Sequence, residues 1–304
     1  MPNIFLKILV ALKESLLFSK SNHSQRLIMT LLVKDEERIL EQNILFHKAM
    51  GIDAFIITDN NSTDRTPQII QKYIDKGWVV ESYSDHDTRH LQKKKVDRMI
   101  WCAKQKHGAD WVINCDADEF WFSPKGDLKH EMSTDINVLK CKSINVYPEE
   151  GVDFWLWDKV IKPMPDTSKY DLSPYNLFRR YTYKVAHSTK GYVKISMGNH
   201  KVAMLPRTKQ KSEITIYHYS FMDRESFIHK TAKTRPQLTN KKNKKKIESR
   251  HWRHFNKMYK LGSINDEYDK IIGSAYFEEF QKLGYIYQDC RVMNILKEIQ
   301  KTIK

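Results

Sequence analysis

Between residues 26 and 122 the chain alternates short apolar runs with longer amphipathic stretches, and this alternation constrains the fold more than any other feature of the sequence. The apolar runs predict strands. They are RLIMTLLV (26–33), AFIIT (54–58), WVVESY (78–83) and DWVINC (110–115). Strands that alternate with helices form βαβ units, in which neighbouring strands run parallel. The sequence therefore predicts an α/β fold with a mostly parallel central sheet flanked by helices.

The helices between these strands carry the expected end signals. KDEERILEQNILFHKAMG (34–51) has apolar residues at helical spacing and ends in Gly51. RTPQIIQKYIDKG (65–77) has Pro67 in its first turn and a glycine at its end, the usual asymmetry of helix termini. A third helix is predicted over residues 91–107.

Polar clusters follow three of the predicted strands: KDEE (34–37), TDNNSTD (58–64) and CDADE (115–119). In open α/β sheets, ligands bind beyond the carboxyl ends of the strands. Asp116 and Asp118 are separated by one small residue and can both reach a hard divalent cation, although a solvated acidic turn has the same composition. Asp64 is equally suited to cap the next helix. No glycine-rich phosphate loop is present, which counts against dinucleotide enzymes and NTPases.

Beyond residue 125 the pattern is less regular. Strands are predicted at 137–147, 194–205 and 212–221, and from residue 222 the chain becomes helical and basic, with a lysine run at 241–246. Several aromatic residues in this part could stack on sugar rings or form a second core layer. They are Trp155, Trp157, Tyr170, Tyr175 and Tyr181.

The composition of the chain indicates which partners and which cellular compartment to expect. The 304 residues carry a net charge of +15, which favours polyanionic partners such as anionic lipid or phosphorylated small molecules. The 4 cysteines are widely spaced, as in reduced cytosolic proteins. No stretch is apolar enough to cross a bilayer. Residues 4–16 predict an amphipathic helix that could dock on its own domain, on a partner or in a membrane interface.

The motifs, taken together, resemble a known enzyme family. Residues 31–66 and 110–120 resemble the inverting, family 2-like glycosyltransferases with the GT-A fold, in particular a bacterial subgroup with D-N-x-S-x-D and D-x-D-E-F motifs. GNH (198–200) and HYSFMDRESFIHK (218–230) resemble later motifs of that subgroup. The resemblance spans residues 26–235 and implies a UDP-sugar or other nucleotide-diphosphate sugar donor with Mn²⁺ or Mg²⁺. It also implies a glycan or lipid-linked acceptor, in capsule or lipopolysaccharide/lipooligosaccharide synthesis.

The resemblance also implies roles for individual residues. Asp118 would be the main metal ligand, Asp116 would lie nearer the ribose or a water, and His200 would be a third metal-side ligand. The remaining cofactor-binding candidates would line the same nucleotide pocket. They are Lys34, Asp35, Glu36, Asp59, Asn60 and Lys94.

Transfer with inversion needs a general base on the acceptor side. The candidates are Glu149, Glu150 and Asp153, each of which could instead be a surface acid; Glu119 is expected to support the metal site. His218, Tyr219 and Lys230 could hold the diphosphate or pack beneath it.

The predicted organisation has three parts: an N-terminal helix (1–25), a glycosyltransferase domain (26–235) and a basic helical extension (236–304). Within the domain, residues 26–125 would bind the nucleotide sugar and residues 126–235 the acceptor. The expected location is the cytoplasm or the inner face of the cytoplasmic membrane. The alternatives are a basic nucleic-acid-binding protein, or a non-catalytic scaffold on the same fold. The first is disfavoured because acidic clusters repel phosphate when no metal is present and because the aromatic and basic residues are mostly separate.

Overall fold

The computed structural model describes residues 3–16, 25–85, 92–170, 172, 177–178, 180–232, 250–272 and 274–303. The strands are β1 (Leu27–Val33), β2 (Ala54–Asp59), β3 (Val79–Ser84), β4 (Trp111–Cys115), β5 (Glu119–Phe122), β6 (Val138–Val146), β7 (Lys159–Ile161), β8 (Thr182–Ser188), β9 (Tyr192–Ile195), β10 (Val202–Met204), β11 (Lys209–His218) and β12 (Ile286–Gln288). The helices are α1 (Ile4–Leu16), α2 (Leu40–Ala49), α3 (Thr66–Asp75), α4 (Gln92–Gln105), α5 (Arg224–Ala232), α6 (Arg250–Lys260), α7 (Ile264–Ile272), α8 (Phe277–Lys282) and α9 (Arg291–Ile303). No helix in these ranges is long and apolar enough to cross a membrane.

The chain forms two compact units whose segments interleave along the sequence. The first unit consists of residues 1–143, 182–217 and 299–304, and the second of residues 144–181 and 218–298. Strand β6 begins in the first unit and ends in the second.

The first unit contains the predicted α/β sheet. Its strands lie in the order β6-β8-β4-β1-β2-β3, with β11 paired to β5 and β6. Strands β4, β1, β2 and β3 are parallel. Every residue of β2 and β4 is buried, as expected of central strands covered on both faces, and this explains their continuous apolar runs. The α/β class with flanking helices is confirmed.

Two details of the sheet differ from the sequence prediction. Strands β1 to β4 pair in parallel, whereas β8 pairs antiparallel with both β4 and β6, so the sheet of the first unit is mixed. The single strand predicted over 194–205 is instead the β9–β10 hairpin. Gly198 and Asn199 both have positive φ, 69° and 58°, so the chain turns between the two strands.

The second unit pairs β7 with β12 and with the end of β6, all antiparallel, and adds helices α5–α8. Its core is aromatic and includes Tyr170, Phe178, Phe227, Tyr268 and Phe280. Trp157 is also buried and stacks on Tyr219, with the ring centroids 5.8 Å apart. The described aromatic residues of this region therefore include core members, whereas Tyr175 and the lysine run at 241–246 lie outside the described residues.

Candidate functional site

The acidic cluster forms a tight turn between two strands of the first unit. Strand β4 ends at Cys115 and β5 begins at Glu119, and the Glu119 N–H donates to the Asp116 carbonyl at 3.1 Å. Ala117 is only 4% exposed, so a small residue fits at the centre of the turn. We call residues Asp116 to Glu119 the acidic turn. It lies at the carboxyl end of a buried parallel strand, as predicted.

Helix α2 holds the acidic turn in place through two buried polar side chains. The Asn43 amide donates to the carbonyls of Ala117 and Glu119, both at 2.9 Å. The Trp121 N–H donates to His47 Nε2 at 3.0 Å, so Nδ1 carries the hydrogen and donates to the Asn43 carbonyl. Burial lowers the pKa of His47 to about 3. His47 is therefore neutral at physiological pH and acts as a fixed structural element.

A second buried network lies around Asn114, the penultimate residue of β4. Its side-chain oxygen accepts from the Thr30 hydroxyl at 2.6 Å, and its carbonyl accepts from Asn199 at 3.2 Å. His187 Nδ1 donates to the Ser188 carbonyl, which leaves Nε2 within 3.5 Å of the Asn114 amide. Burial lowers the pKa of His187 to about 4. The hairpin that carries GNH is thereby joined to the strand that carries the acidic turn.

A buried lysine that the sequence did not single out contacts two members of the acidic turn. Lys184 Nζ lies 2.5 Å from an Asp116 oxygen and 2.6 Å from a Glu119 oxygen. Burial alone would lower the pKa of Lys184, but the carboxylates of Asp116 and then Glu119 outweigh it and raise the pKa. The first unit therefore contains a permanent cation beside Asp116, one of the predicted metal ligands.

His200 is placed by strand β8 as well. Its Nδ1 lies 2.8 Å from the Tyr183 carbonyl, which can only accept, so Nδ1 carries the hydrogen. The ring is exposed, and Nε2 is left as the nitrogen that can bind a cation. Tyr183 precedes Lys184, so the strand that binds His200 through a carbonyl also carries the lysine that contacts Asp116.

The metal ligands expected from the sequence do not converge fully. In the part of the chain that the structure describes, one group of three possible metal ligands has its ligand atoms within 4.8 Å of one another. This group consists of Glu81, Cys102 and His107. Lys106 already contacts both carboxylate oxygens of Glu81 at 3.3 Å. The ligand atoms of Asp116, Asp118 and His200 are farther apart than this. Carboxylate oxygens and one imidazole nitrogen still suit Mn²⁺ or Mg²⁺, because those ions keep waters and take the remaining ligands from phosphate.

The second polar cluster, at the end of β2, is tied to helix α4. Asp59 accepts from the Ser62 N–H and hydroxyl, at 3.1 and 2.6 Å. The Asn60 side-chain oxygen accepts from Lys95 Nζ at 2.5 Å, and the Lys95 side chain is only 5% exposed. Lys94, the residue expected in the nucleotide pocket, is exposed on the same helix. The structure thus places the neighbouring lysine at Asn60.

The loop after β1 is bound to the loop after β2. Lys34 Nζ donates to the Asn61 carbonyl at 2.7 Å, and the Asp35 carboxylate accepts from the Thr63 N–H at 2.7 Å. Thr66 binds two partners: its hydroxyl accepts from the Glu36 N–H at 2.8 Å, and its own N–H donates to Asp64 at 2.9 Å. Asp64 thus accepts from the first N–H of α3, although the N-cap residue of the helix is Arg65, whose side chain makes no capping hydrogen bond. The candidate residues 34–36 form one hydrogen-bonded rim with 59–64.

The candidate bases lie in the second unit. Glu149 is 2.7 Å from Lys159, and Glu150 is 2.8 Å from Arg224. Asp153 is exposed and precedes a short 3₁₀ turn without capping it through its side chain.

The later motif is also in the second unit, and its described side chains pack locally. His218 Nδ1 lies 3.0 Å from the Ser220 hydroxyl, and Tyr219 is buried against Trp157. The side chain of Lys230 lies outside the described part of the chain.

The chain is similar to several glycosyltransferases at low identity. No family model matches it. A glycosyltransferase family 92 protein of Ricinus communis is 27% identical over 120 residues, which is 36% of this chain and 20% of the relative. The chain thus matches about a fifth of that protein's length.

Among solved structures, S. aureus TarS 1–349 is 11% identical over 92% of both chains, with a TM-score of 0.39. The mannosyltransferase PcManGT of Pyrobaculum calidifontis, in complex with GDP-Man and Mn²⁺, is 10% identical over 75% of this chain and 69% of its own, with a TM-score of 0.41. Glucosyl-3-phosphoglycerate synthase of Mycobacterium tuberculosis, with Mn²⁺, UDP and glucosyl-3-phosphoglycerate, is 16% identical over 62% of this chain and 61% of its own, with a TM-score of 0.31.

Proposed function

We propose that the protein is a metal-dependent inverting glycosyltransferase with the GT-A fold. It would move a sugar from a nucleotide-diphosphate donor, with a UDP-sugar favoured, to a hydroxyl of a glycan or lipid-linked acceptor. The acceptor would belong to capsule or lipopolysaccharide/lipooligosaccharide synthesis in a bacterium, and the enzyme would work in the cytoplasm or at the inner face of the membrane. The main support is the acidic turn, which two buried networks and Lys184 hold at the carboxyl end of a parallel strand.

The candidate metal ligands would have different roles. Asp118 and His200 would hold Mn²⁺ or Mg²⁺, as the family resemblance implies, and Asp116, which accepts a hydrogen bond from Lys184, would lie nearer the ribose or a water. Bound there, the cation would neutralise the diphosphate as it leaves. Lys184 keeps Asp116 and Glu119 in one orientation, so the turn does not have to reorganise when the donor binds.

The rim of residues 34–36 and 59–64 would bind the nucleoside. Lys95 fixes the Asn60 side chain by donating to its oxygen, and this leaves the amide hydrogens to donate to a base or ribose. In this proposal Lys95 would act at the nucleoside through Asn60, and Lys94, the lysine expected there from the sequence, would lie on the exposed side of the same helix.

The acceptor hydroxyl must lose its proton to a base as the sugar is transferred. Glu149 and Glu150 are engaged by Lys159 and Arg224, whereas no ion pair of Asp153 is found among the described residues. Asp153 is therefore the first of the three to test. Asp153→Asn should lower kcat about 100-fold or more if this residue is the base, while Glu149→Gln and Glu150→Gln should have smaller effects.

A donor screen tests the proposal. Purified protein is incubated with UDP-, GDP- and CMP-sugars, with Mn²⁺, Mg²⁺ or chelator, and nucleotide release is measured. One donor should be consumed, and both chelator and Asp118→Asn should slow this reaction about 100-fold or more. Asp75→Asn, on the exposed surface of α3, is the matched control and should not change the rate. Turnover that neither chelator nor Asp118→Asn affects would refute the metal-site assignment.

A further inference from the structure

Helix α1 packs on the first unit through two ion-paired side chains and through the apolar Val10 and Ala11. Lys7 and Ala11 are its most buried side chains, at 6% and 0% exposure, and Lys7 is ion-paired with Asp97. Glu14 is bound by Lys104 at 2.7 Å and by the Gly191 N–H at 2.9 Å. The helix is thus anchored by an ion pair at each end of its inner face.

The outward face of α1 is apolar. Five large hydrophobic side chains on this one helix are 47% to 69% exposed. They are Ile4, Phe5, Leu6, Leu9 and Leu12. A helix that packs on its own domain normally buries its apolar stripe and exposes charge. Here five large apolar side chains remain on the outward face, and contiguous apolar surface of this kind marks an interaction site.

The strand beneath α1 belongs to a strongly basic segment. Helix α1 packs on β9, and residues 189–212, which include this strand, contain six cations and no acidic residue. All six are exposed: Lys190, Lys194, Lys201, Arg207, Lys209 and Lys211. Burial together with nearby Lys140, Arg207 and Lys201 lowers the pKa of Lys209, so three of the six cations, Lys201, Arg207 and Lys209, lie in one region of positive charge. Such a cluster is stabilised by an anionic surface.

We propose that the outward face of α1 lies in the interfacial region of an anionic lipid bilayer, with the basic segment 189–212 contacting the lipid headgroups. An exposed apolar helix face combined with exposed lysines is the composition that inserts a helix in the plane of a membrane. The ion pairs of Lys7 and Glu14 would keep the helix on the protein while Phe5 and Leu9 enter the acyl region. This inference does not depend on sugar transfer.

Vesicle binding of the full chain tests the proposal. Co-sedimentation is measured with phosphatidylcholine vesicles and with vesicles that also contain phosphatidylglycerol. Wild-type protein should partition onto the anionic vesicles, and Phe5→Ser/Leu9→Ser should lower the partition coefficient about tenfold or more. The matched control is Leu261→Ser/Leu283→Ser, two apolar side chains of the second unit that are 65% and 52% exposed. This control should bind like wild type.

A separate variant tests the contribution of the lysines to vesicle binding. Lys190→Gln/Lys194→Gln should lower binding to the anionic vesicles about tenfold, and added salt should have the same effect on the wild type. Thermal unfolding of each variant should match wild type, because the replaced side chains are exposed.

Wild-type binding that is no stronger on anionic than on neutral vesicles would overturn the proposal. So would Phe5→Ser/Leu9→Ser binding like wild type. If sedimentation velocity without vesicles shows a dimer that this variant abolishes, and vesicles bind neither protein, a second copy covers the face and the membrane assignment is wrong.

Discussion

Replacing Lys184 with methionine should destabilise the first unit strongly. The substitution keeps a long unbranched side chain but removes the ammonium that lies 2.5 Å from Asp116 and 2.6 Å from Glu119. The two carboxylates differ in exposure: the Asp116 side chain is 42% exposed and the Glu119 side chain 1%. Water can solvate Asp116 after the change, so its part of the loss is small. Glu119 would keep its negative charge in the interior without this cation.

The expected loss in free energy of unfolding is about 3–5 kcal/mol near neutral pH, the usual cost of removing one partner of a buried ion pair. The second substitution Glu119→Gln removes the stranded charge. The double variant Lys184→Met/Glu119→Gln should therefore recover roughly 2 kcal/mol or more relative to Lys184→Met alone. The loss in the single variant should also shrink in acid, because a protonated carboxyl group needs no counter-charge.

Urea unfolding followed by tryptophan fluorescence measures these differences. Lys194→Met is the matched control, an exposed lysine on a strand of the same unit, and should change stability by about 0.5 kcal/mol or less. A loss below about 1 kcal/mol for Lys184→Met, or no recovery in the double variant, would refute the view that this ion pair holds the acidic turn.

Three further outcomes are expected. The free energy of unfolding should fall as pH drops from 6.5 towards 4, by about 1.4 kcal/mol per pH unit for each fully responsive group. Burial lowers the pKa of His47 to about 3 and that of His187 to about 4, from an ordinary value of 6.5. The unfolded chain therefore binds protons in this pH range that the folded chain excludes. Urea midpoints across this range measure the effect, and a flat profile would contradict it. Asn43→Ala leaves two carbonyls of the acidic turn without their donor and should cost about 2–3 kcal/mol in the same assay; a cost below about 0.5 kcal/mol would show that the turn does not need this amide. On the proposed function, Lys95→Met should weaken UDP binding about tenfold in calorimetry while Lys94→Met leaves it unchanged, and equal effects would argue against a role for Lys95.

The features predicted correctly from sequence are those with local signals. The order of β1 to β4 and their helices follows from apolar periodicity and from glycines such as Gly51 and Gly77, which adopt positive φ of 90° and 69° just after their helices. The acidic turn was predictable because three consecutive signals agree: a buried strand, a small residue between two carboxylates, and a return to aromatic residues.

The features that were missed depend on long-range contacts. Strand β8 has no clean alternation because it buries the polar residues Lys184 and His187 in its centre, so neither the strand nor its lysine stood out. On α4, adjacent residues point about 100° apart. The sequence alone therefore does not show that Lys95, the neighbour of Lys94, is the lysine that contacts Asn60. Asn43 and His47 did carry a signal, a polar pair at i and i+4 on an otherwise buried face.

The central claim is a divalent-cation site at the acidic turn that binds a nucleoside diphosphate. Titration of the protein with UDP in calorimetry, with Mn²⁺ and then with chelator, tests it most directly, using wild type, Asp118→Asn and the control Asp75→Asn. We expect Mn²⁺ to strengthen UDP binding in the wild type and in Asp75→Asn, and Asp118→Asn to lose most of this gain, about tenfold or more in affinity. UDP binding of equal strength in all three proteins, with or without Mn²⁺, would contradict the account.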